Sequence, residues 1–163
     1  MPHKYLTKEF EDFTRSTPNA ESLMQHVSQR IHLHIPRYNW VGFYLVDKKD
    51  SSLLVLGPHA GSFTPNVKIF FGQGLCGAAA SIRRTVVADN VAEDARYIQA
   101  SDLVKSQISV PVLVGNMVAG VFNVESYFQS AFKAAQERDF VEGCAKIVGK
   151  CFARTAAPDL VNV

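Results

Sequence analysis

The order of elements predicts an α+β domain: two helices, a sheet built from hairpins, and one long closing helix. Three observations carry this reading. Apolar residues recur at helical spacing near the two ends of the chain. Between them lie short runs rich in Val, Ile, Phe and Tyr, bounded by Gly, Pro, Asn and Asp. Most of those runs are joined by short turns rather than long crossovers, so the sheet should be mostly antiparallel, with the helices on one side.

Each element has its own signal. Residues 5–16 read as a helix with Leu6, Phe10 and Phe13 on one face. Thr17 then suits an N-cap, with Pro18 at the first position of a second helix. That helix runs to about His34 and stops before Pro36, with Leu23, Val27 and Ile31 spaced as a buried stripe. Residues 40–46 form the strongest strand; 47–52 make a turn, and 53–56 return as a hairpin that Gly57, Pro58 and Gly61 break. A strand is expected at 67–71, a short Ala-rich helix at 75–82 and a brief strand at 85–88. Residues 89–101 are polar and irregular. Strands at 108–114 and 118–124 flank Gly115-Asn116-Met117 as a second hairpin. The last helix covers about 137–152. One domain, 1–155, therefore holds N-terminal helices in 1–36, sheet and pocket in 39–135 and a C-terminal helix in 136–153, followed by a loose tail at 156–163.

Composition narrows the function. The chain has 163 residues, 47% hydrophobic and 20% charged, which suits a globular domain with a substantial core. A net charge of +2 with scattered basic pairs does not predict a nucleic-acid surface. No apolar stretch reaches the ~20 residues of a membrane span, and the first residues lack a signal-peptide core, so a cytoplasmic protein is expected. Three cysteines without a C-x-x-C spacing point to neither a disulfide scaffold nor a zinc knuckle, and no metal or cofactor is expected.

The candidate site residues come from turns and strand alternation. Gly72-x-Gly74-x-x-Gly77 matches a dinucleotide fingerprint in isolation, but a Rossmann unit needs a parallel β-α-β, and here hairpins surround it. A tight turn that starts a helix close to the sheet is the alternative. Cys76 in that turn is either a thiol activated by the helix N-terminus or a small packed residue. Cys144 and Cys151 have the spacing of a buried helical stripe. His59 could reach a pocket or lie on the surface. Trp40 and Tyr44 share one strand face and either line a ligand cavity or pack in the core. Asn123 and Glu125 share a face of an apolar strand, and Gln107 with Ser106 and Ser126 adds to the polar concentration there.

Together these segments resemble the GAF domain, and more narrowly the free methionine-(R)-sulfoxide reductase family built on that fold. The resemblance runs from about residue 39 to 140. It is carried by Asn39-Trp-Val-Gly-Phe-Tyr-Leu-Val46, Leu56-Gly-Pro58, Gly72-Gln-Gly-Leu-Cys-Gly77, Ser106-Gln-Ile-Ser-Val-Pro111, Gly120-Val-Phe-Asn-Val-Glu-Ser126, and Phe132 with Asp139. It implies a sheet of about six strands, with terminal helices on one face and a short helix and loops on the other. It also implies where the chemistry should sit. Ala100, within Arg96-Tyr-Ile-Gln-Ala-Ser-Asp102, stands where the family carries its nucleophilic cysteine. Thr64, Pro65 and Asn66 replace the family's thiol before the glycine turn. Gln107 and Asn123 stand at two of three family carboxylates, Glu125 at the third, while the enclosing aromatics Trp40 and Tyr44 are kept. An amide hydrogen-bonds but cannot act as an acid. The expectation is a small-molecule-binding sensor domain, using Trp40, Tyr44, Cys76, Gln107, Asn123 and Glu125, without sulfoxide reductase activity. Two alternatives stand beside it: a reductase using Cys76 with an external thiol, and a structural module. A homodimer through the terminal helices is expected on the same resemblance.

Overall fold

A computed structural model describes the chain from Pro2 to Val161 apart from residues 17 and 18, with side chains described through Thr155. The elements are α1 (His3–Thr14), α2 (Ala20–His34), β1 (Trp40–Val46), β2 (Leu53–Gly61), β3 (Lys68–Phe70), α3 (Gly74–Ile82), β4 (Val86–Ala88), β5 (Ser106–Val114), β6 (Met117–Ser126) and α4 (Ala135–Val161). The six strands form one sheet in the order β3-β2-β1-β6-β5-β4, and every neighbouring pair is antiparallel. The fold is α+β, as the hairpin pattern predicts.

Strand alternation divides the sheet into two faces with different duties. Val41 and Phe43 of β1, Phe122 and Val124 of β6, and Ile108 and Val110 of β5 face α1, α2 and α4. Leu6 and Phe10 of α1, Leu23, Val27 and Ile31 of α2, and Val141, Cys144, Val148 and Cys151 of α4 complete this larger core. Phe43 and Phe122 stack at its centre, their ring centroids 4.4 Å apart. Both α4 cysteines are thus packed residues, as their spacing predicts. The opposite face carries Trp40, Tyr44, Leu54, Val86, Ala88 and Val121, covered by α3 and the loops. Polar ties fix the helices. Arg30 grips Glu9 through Nε and Nη2 at 3.0 Å each, which holds the Glu9 carboxyl below its ordinary range. Tyr38 Oη donates to Glu137 across 3.0 Å.

Several boundaries differ from the sequence reading, each for a physical reason. The cap of α2 is Asn19, whose side chain accepts from Ser22 N at 2.9 Å; the expected capping pair, Thr17 and Pro18, lies outside the described residues. Strand β2 does not end at Leu56 but continues to Gly61. Gly42 pairs with His59 and Tyr44 with Leu56, so Gly57 and Pro58 together oppose Phe43 in a β-bulge. A bulge tolerates a proline that could not donate to a regular ladder. The second hairpin turns on Gly115 and Asn116 alone, since Met117 already pairs with Val114. Helix α4 has helical backbone to Val161, beyond the end expected near 153. The expected loose tail, 156–163, falls on residues whose side chains, and for 162 and 163 the backbone, lie outside the described residues.

Candidate ligand site

The three central strands project a polar row from the α3 face. Their registers place Gln107 opposite Glu125, Ser109 opposite Asn123, and Gly42 opposite Asn123 from the other side. Gln107, Ser109, Asn123 and Glu125 are all buried. Buried polar groups must find partners, and these find one another. Gln107 Nε2 donates to Asn123 Oδ1 at 2.8 Å. Ser109 Oγ donates to the same oxygen at 2.9 Å. Asn123 Nδ2 donates to Glu125 Oε2 at 3.2 Å. Since the Ser109 hydroxyl proton is committed to Asn123, the thiol of Cys76, 3.5 Å from Ser109 Oγ, is the donor in that contact.

Cys76 reaches this row from the first turn of α3. The preceding loop is wound tightly. Gly72 and Gly74 have positive φ, and Gly72 N donates to Gly77 O at 2.8 Å. A Cβ at Gly77 would lie 2.3 Å from Phe70 O, so only glycine lets the helix start against the strand. The fingerprint is therefore a turn that docks α3 on the sheet. The strands on either side of α3, β3 and β4, lie at opposite edges of an antiparallel sheet, and no parallel β-α-β unit exists among the described residues.

Burial dominates the electrostatics. Loss of solvent pushes the Cys76 thiol up to about 12, an effect to which the Glu125 charge adds and which the contacts with Ser109 and Gln107 oppose. The helix N-terminus does not outweigh this, and the thiol is protonated at neutral pH. Burial also lifts Glu125 to about 7, against the hydrogen bond from Asn123, which lowers it. Tyr44 is likewise raised well above its ordinary range by burial, with Cys76 and Glu125 adding.

The enclosed space is small. Tyr44, Asn66, Ile69, Cys76, Ile98 and Glu125 are among the residues around a cavity of about 20 Å³ that Gln107 and Asn123 also line. That is room for roughly one water molecule. The cover comes from two loops. Tyr44 Oη donates to Asn66 O at 2.8 Å, pinning the segment before β3. Ile98 closes the other side, in the same loop as Ala100, and a Cβ at Gly74 would lie 2.9 Å from its Cδ1.

Five of the six expected site residues, Tyr44, Cys76, Gln107, Asn123 and Glu125, line this cavity; Trp40 does not. Its indole lies flat on the sheet next to Tyr44, with ring centroids 6.0 Å apart, and His59 and Phe63 stack on it at 5.6 and 6.3 Å. Glycines create that berth. A Cβ at Gly61 would sit 2.3 Å from Trp40 Cδ1, and one at Gly42 would sit 2.7 Å from its Cη2. The Trp40 indole N–H is buried without a hydrogen-bond partner among the described residues. His59 is exposed on the outer side of the indole. Ser106 and Ser126, grouped with the polar set by the sequence, point to the opposite side and tie down the segment at 128–131. Sequence reasoning missed Ser109, although it shares the alternation of Gln107. It also missed Asn66 and Ile98, whose loops carry no periodic signal.

The architecture and the buried polar row on its second face define the class. The GAF domain family is matched over residues 17–152, and the chain belongs to it. Among its relatives, a Saccharomyces cerevisiae free methionine-R-sulfoxide reductase is 31% identical over 133 residues, covering 81% of this chain and 71% of that protein. Bacillus subtilis Protein YtsP is 27% identical over 136 residues, covering 83% and 82%. In three dimensions the chain is similar to the Neisseria meningitidis free methionine-R-sulfoxide reductase solved with its substrate. The TM-score is 0.88 at 27% identity, over 96% of this chain and 91% of that one.

Proposed function

We propose that this GAF domain is a small-molecule-binding sensor that takes a neutral or zwitterionic ligand into the site of Gln107, Asn123 and Glu125 and does not reduce sulfoxides. The observation that carries this reading is the row itself: two amides, a hydroxyl and one carboxyl, buried and joined by hydrogen bonds, on an otherwise apolar sheet face. Two amides bring no charge that a cationic ligand would need. Entry requires the two covering loops to move, since the closed cavity holds only about 20 Å³.

Sulfoxide reduction needs a thiolate to attack sulfur, an acid to release the oxygen as water, and a second thiol to resolve the sulfenic acid. Cys76 is held protonated by burial. Cys144 and Cys151 lie in the core on the other face of the sheet. Ala100 offers no thiol from the covering loop.

The names of the relatives favour a second reading, a free methionine-R-sulfoxide reductase in which Cys76 attacks and an external thiol resolves. One assay separates the two. The protein is incubated with free methionine-(R)-sulfoxide and dithiothreitol, and methionine is quantified by chromatography against a Cys76→Ser control. We expect no turnover above the control; turnover that disappears in Cys76→Ser would make the protein an enzyme.

A further inference from the structure

A second concave surface lies on the α4 side of the sheet, away from the buried row. It is a groove of about 980 Å³ between α4, the end of β5 and the residues that follow α3. Its floor is small and apolar: Pro111, Leu113, Ala145, Gly149 and Ala153. A Cβ at Gly149 would lie 2.5 Å from Leu113 O, so α4 and β5 are in backbone contact beneath the groove. Gly143 on its wall has nothing within 4 Å of the place a Cβ would take.

The rim is basic. Arg83, Arg84, Arg138, Lys146 and Lys150 surround the groove, against two acids, Asp139 and Glu142. Five cations less two anions leave +3 in one groove, more than the +2 of the whole chain. No side chain of these five cations makes an ion pair or hydrogen bond among the described residues. Glu142 is already engaged by Thr85 Oγ1 at 2.8 Å. By contrast, Arg30 and Arg96 elsewhere on the surface are both paired. A cluster of unpaired like charges repels itself and is stabilised by an anionic partner.

We propose that this groove docks an acidic, amphipathic peptide segment of a partner protein. The cations on α4 run from Arg138 to Lys150, roughly 18 Å along the helix axis at 1.5 Å per residue. That is the span of a short peptide, not of a single phosphate. The apolar floor gives a peptide's hydrophobic side chains somewhere to bury, with Leu113 as its largest member. A nucleic-acid strand fits less well: no aromatic side chain lines the groove to stack on bases, and Asp139 and Glu142 would meet a continuous run of phosphates.

The test is selection from a random peptide display library on the full chain, with counter-selection on a Lys146→Glu, Lys150→Glu variant. Both positions are exposed, and circular dichroism is used to check that the variant folds. Enriched peptides should combine Asp or Glu with Leu, Ile or Phe. In fluorescence anisotropy they should bind at least about tenfold more weakly to the charge-reversed protein, and to an independent Arg138→Glu variant, with affinity falling as salt rises. Failure to enrich any sequence, or binding indifferent to both variants, overturns the proposal. So would tighter binding of a single-stranded oligonucleotide, which would assign the groove to nucleic acid. Self-association lost in the same variants would give the groove to a second copy of the chain.

Discussion

Replacing Glu125 by Gln tests the electrostatics of the buried row directly. The amide keeps the shape of the side chain and its capacity to accept from Asn123 Nδ2, but it does not titrate. In the folded protein burial lifts the Glu125 carboxyl from 4.5 to about 7. The folded state therefore holds a proton that the unfolded chain releases as pH rises through this window. Stability is full below the unfolded value, falls between the two, and is level again above the folded one. At about 1.4 kcal/mol per unit, a rise from 4.5 to about 7 corresponds to a loss of about 3 kcal/mol, most of it between about pH 5 and about pH 8. The assay is urea unfolding of both proteins across that range, read as wild type minus variant. Carboxylates such as Glu9 and Asp94, which are lowered by their arginines, titrate alike in both proteins and cancel. Glu125→Gln should lie closest to the wild type near pH 5, exceed it increasingly up to about pH 7, and keep a level excess toward about pH 8. A difference that stays constant over the window would mean that Glu125 is solvated, and the closed-row description would be wrong.

Further perturbations address the neighbouring parts of the site. Gly61→Ala should cost about 2 kcal/mol or more in urea unfolding and red-shift or broaden the emission of the fully buried Trp40, because the added carbon lies 2.3 Å from Trp40 Cδ1; an unchanged midpoint would mean the indole has another berth. Ellman's reagent at about pH 8 should find no fast thiol in the native protein and three after denaturation, since all three cysteines are buried and free. Rapid labelling of Cys76 alone would show that the cover opens readily and would strengthen the reductase reading.

How much of this was legible in the sequence follows from the range of the forces involved. Strand β1 was readable to the residue because its seven residues form one unbroken apolar run, the local mark of a strand covered on both faces. The extension of β2 past Gly57 was not. It depends on a bulge that only the partner strand β1 can impose, and Gly and Pro read as breakers until that pairing exists. The same split runs through the site. Asn123 and Glu125 were found from period two, and Gln107 from the polar pair heading the adjacent strand and from the family resemblance. The inference that Ser106 and Ser126 join them ignored that same period, which sends them to the far side. The berth of Trp40 needs Gly61, twenty-one positions away, and no local pattern connects them. The covering residues Asn66 and Ile98 lie in loops, where only the folded chain says what faces what.

The closed cavity has a chemical cause that can be reversed. With Gln107 Nε2 2.8 Å from Asn123 Oδ1, the two amides satisfy each other, and the row can seal without a ligand or water between its members. Two carboxylates at the same positions could not do so. Beside Glu125 they would place three acids in one buried row, and like charges at ~3 Å cannot all ionise. Substituting both, Gln107→Glu with Asn123→Asp, should therefore leave the fold intact at about pH 5, where the row carries protons. It should destabilise the protein by about 3 kcal/mol or more near pH 8, where they must ionise or let water in. Hydrogen exchange should locate the response in the loops carrying Asn66 and Ile98, with α2 and α4 unaffected, because those helices pack on the other face of the sheet. A double variant as stable near pH 8 as the wild type, with its loops equally protected, would show that the amides are not what closes the site. The outcome predicted here would instead make the closure a direct consequence of removing charge from a sheet face whose strands owe their stability to the opposite side.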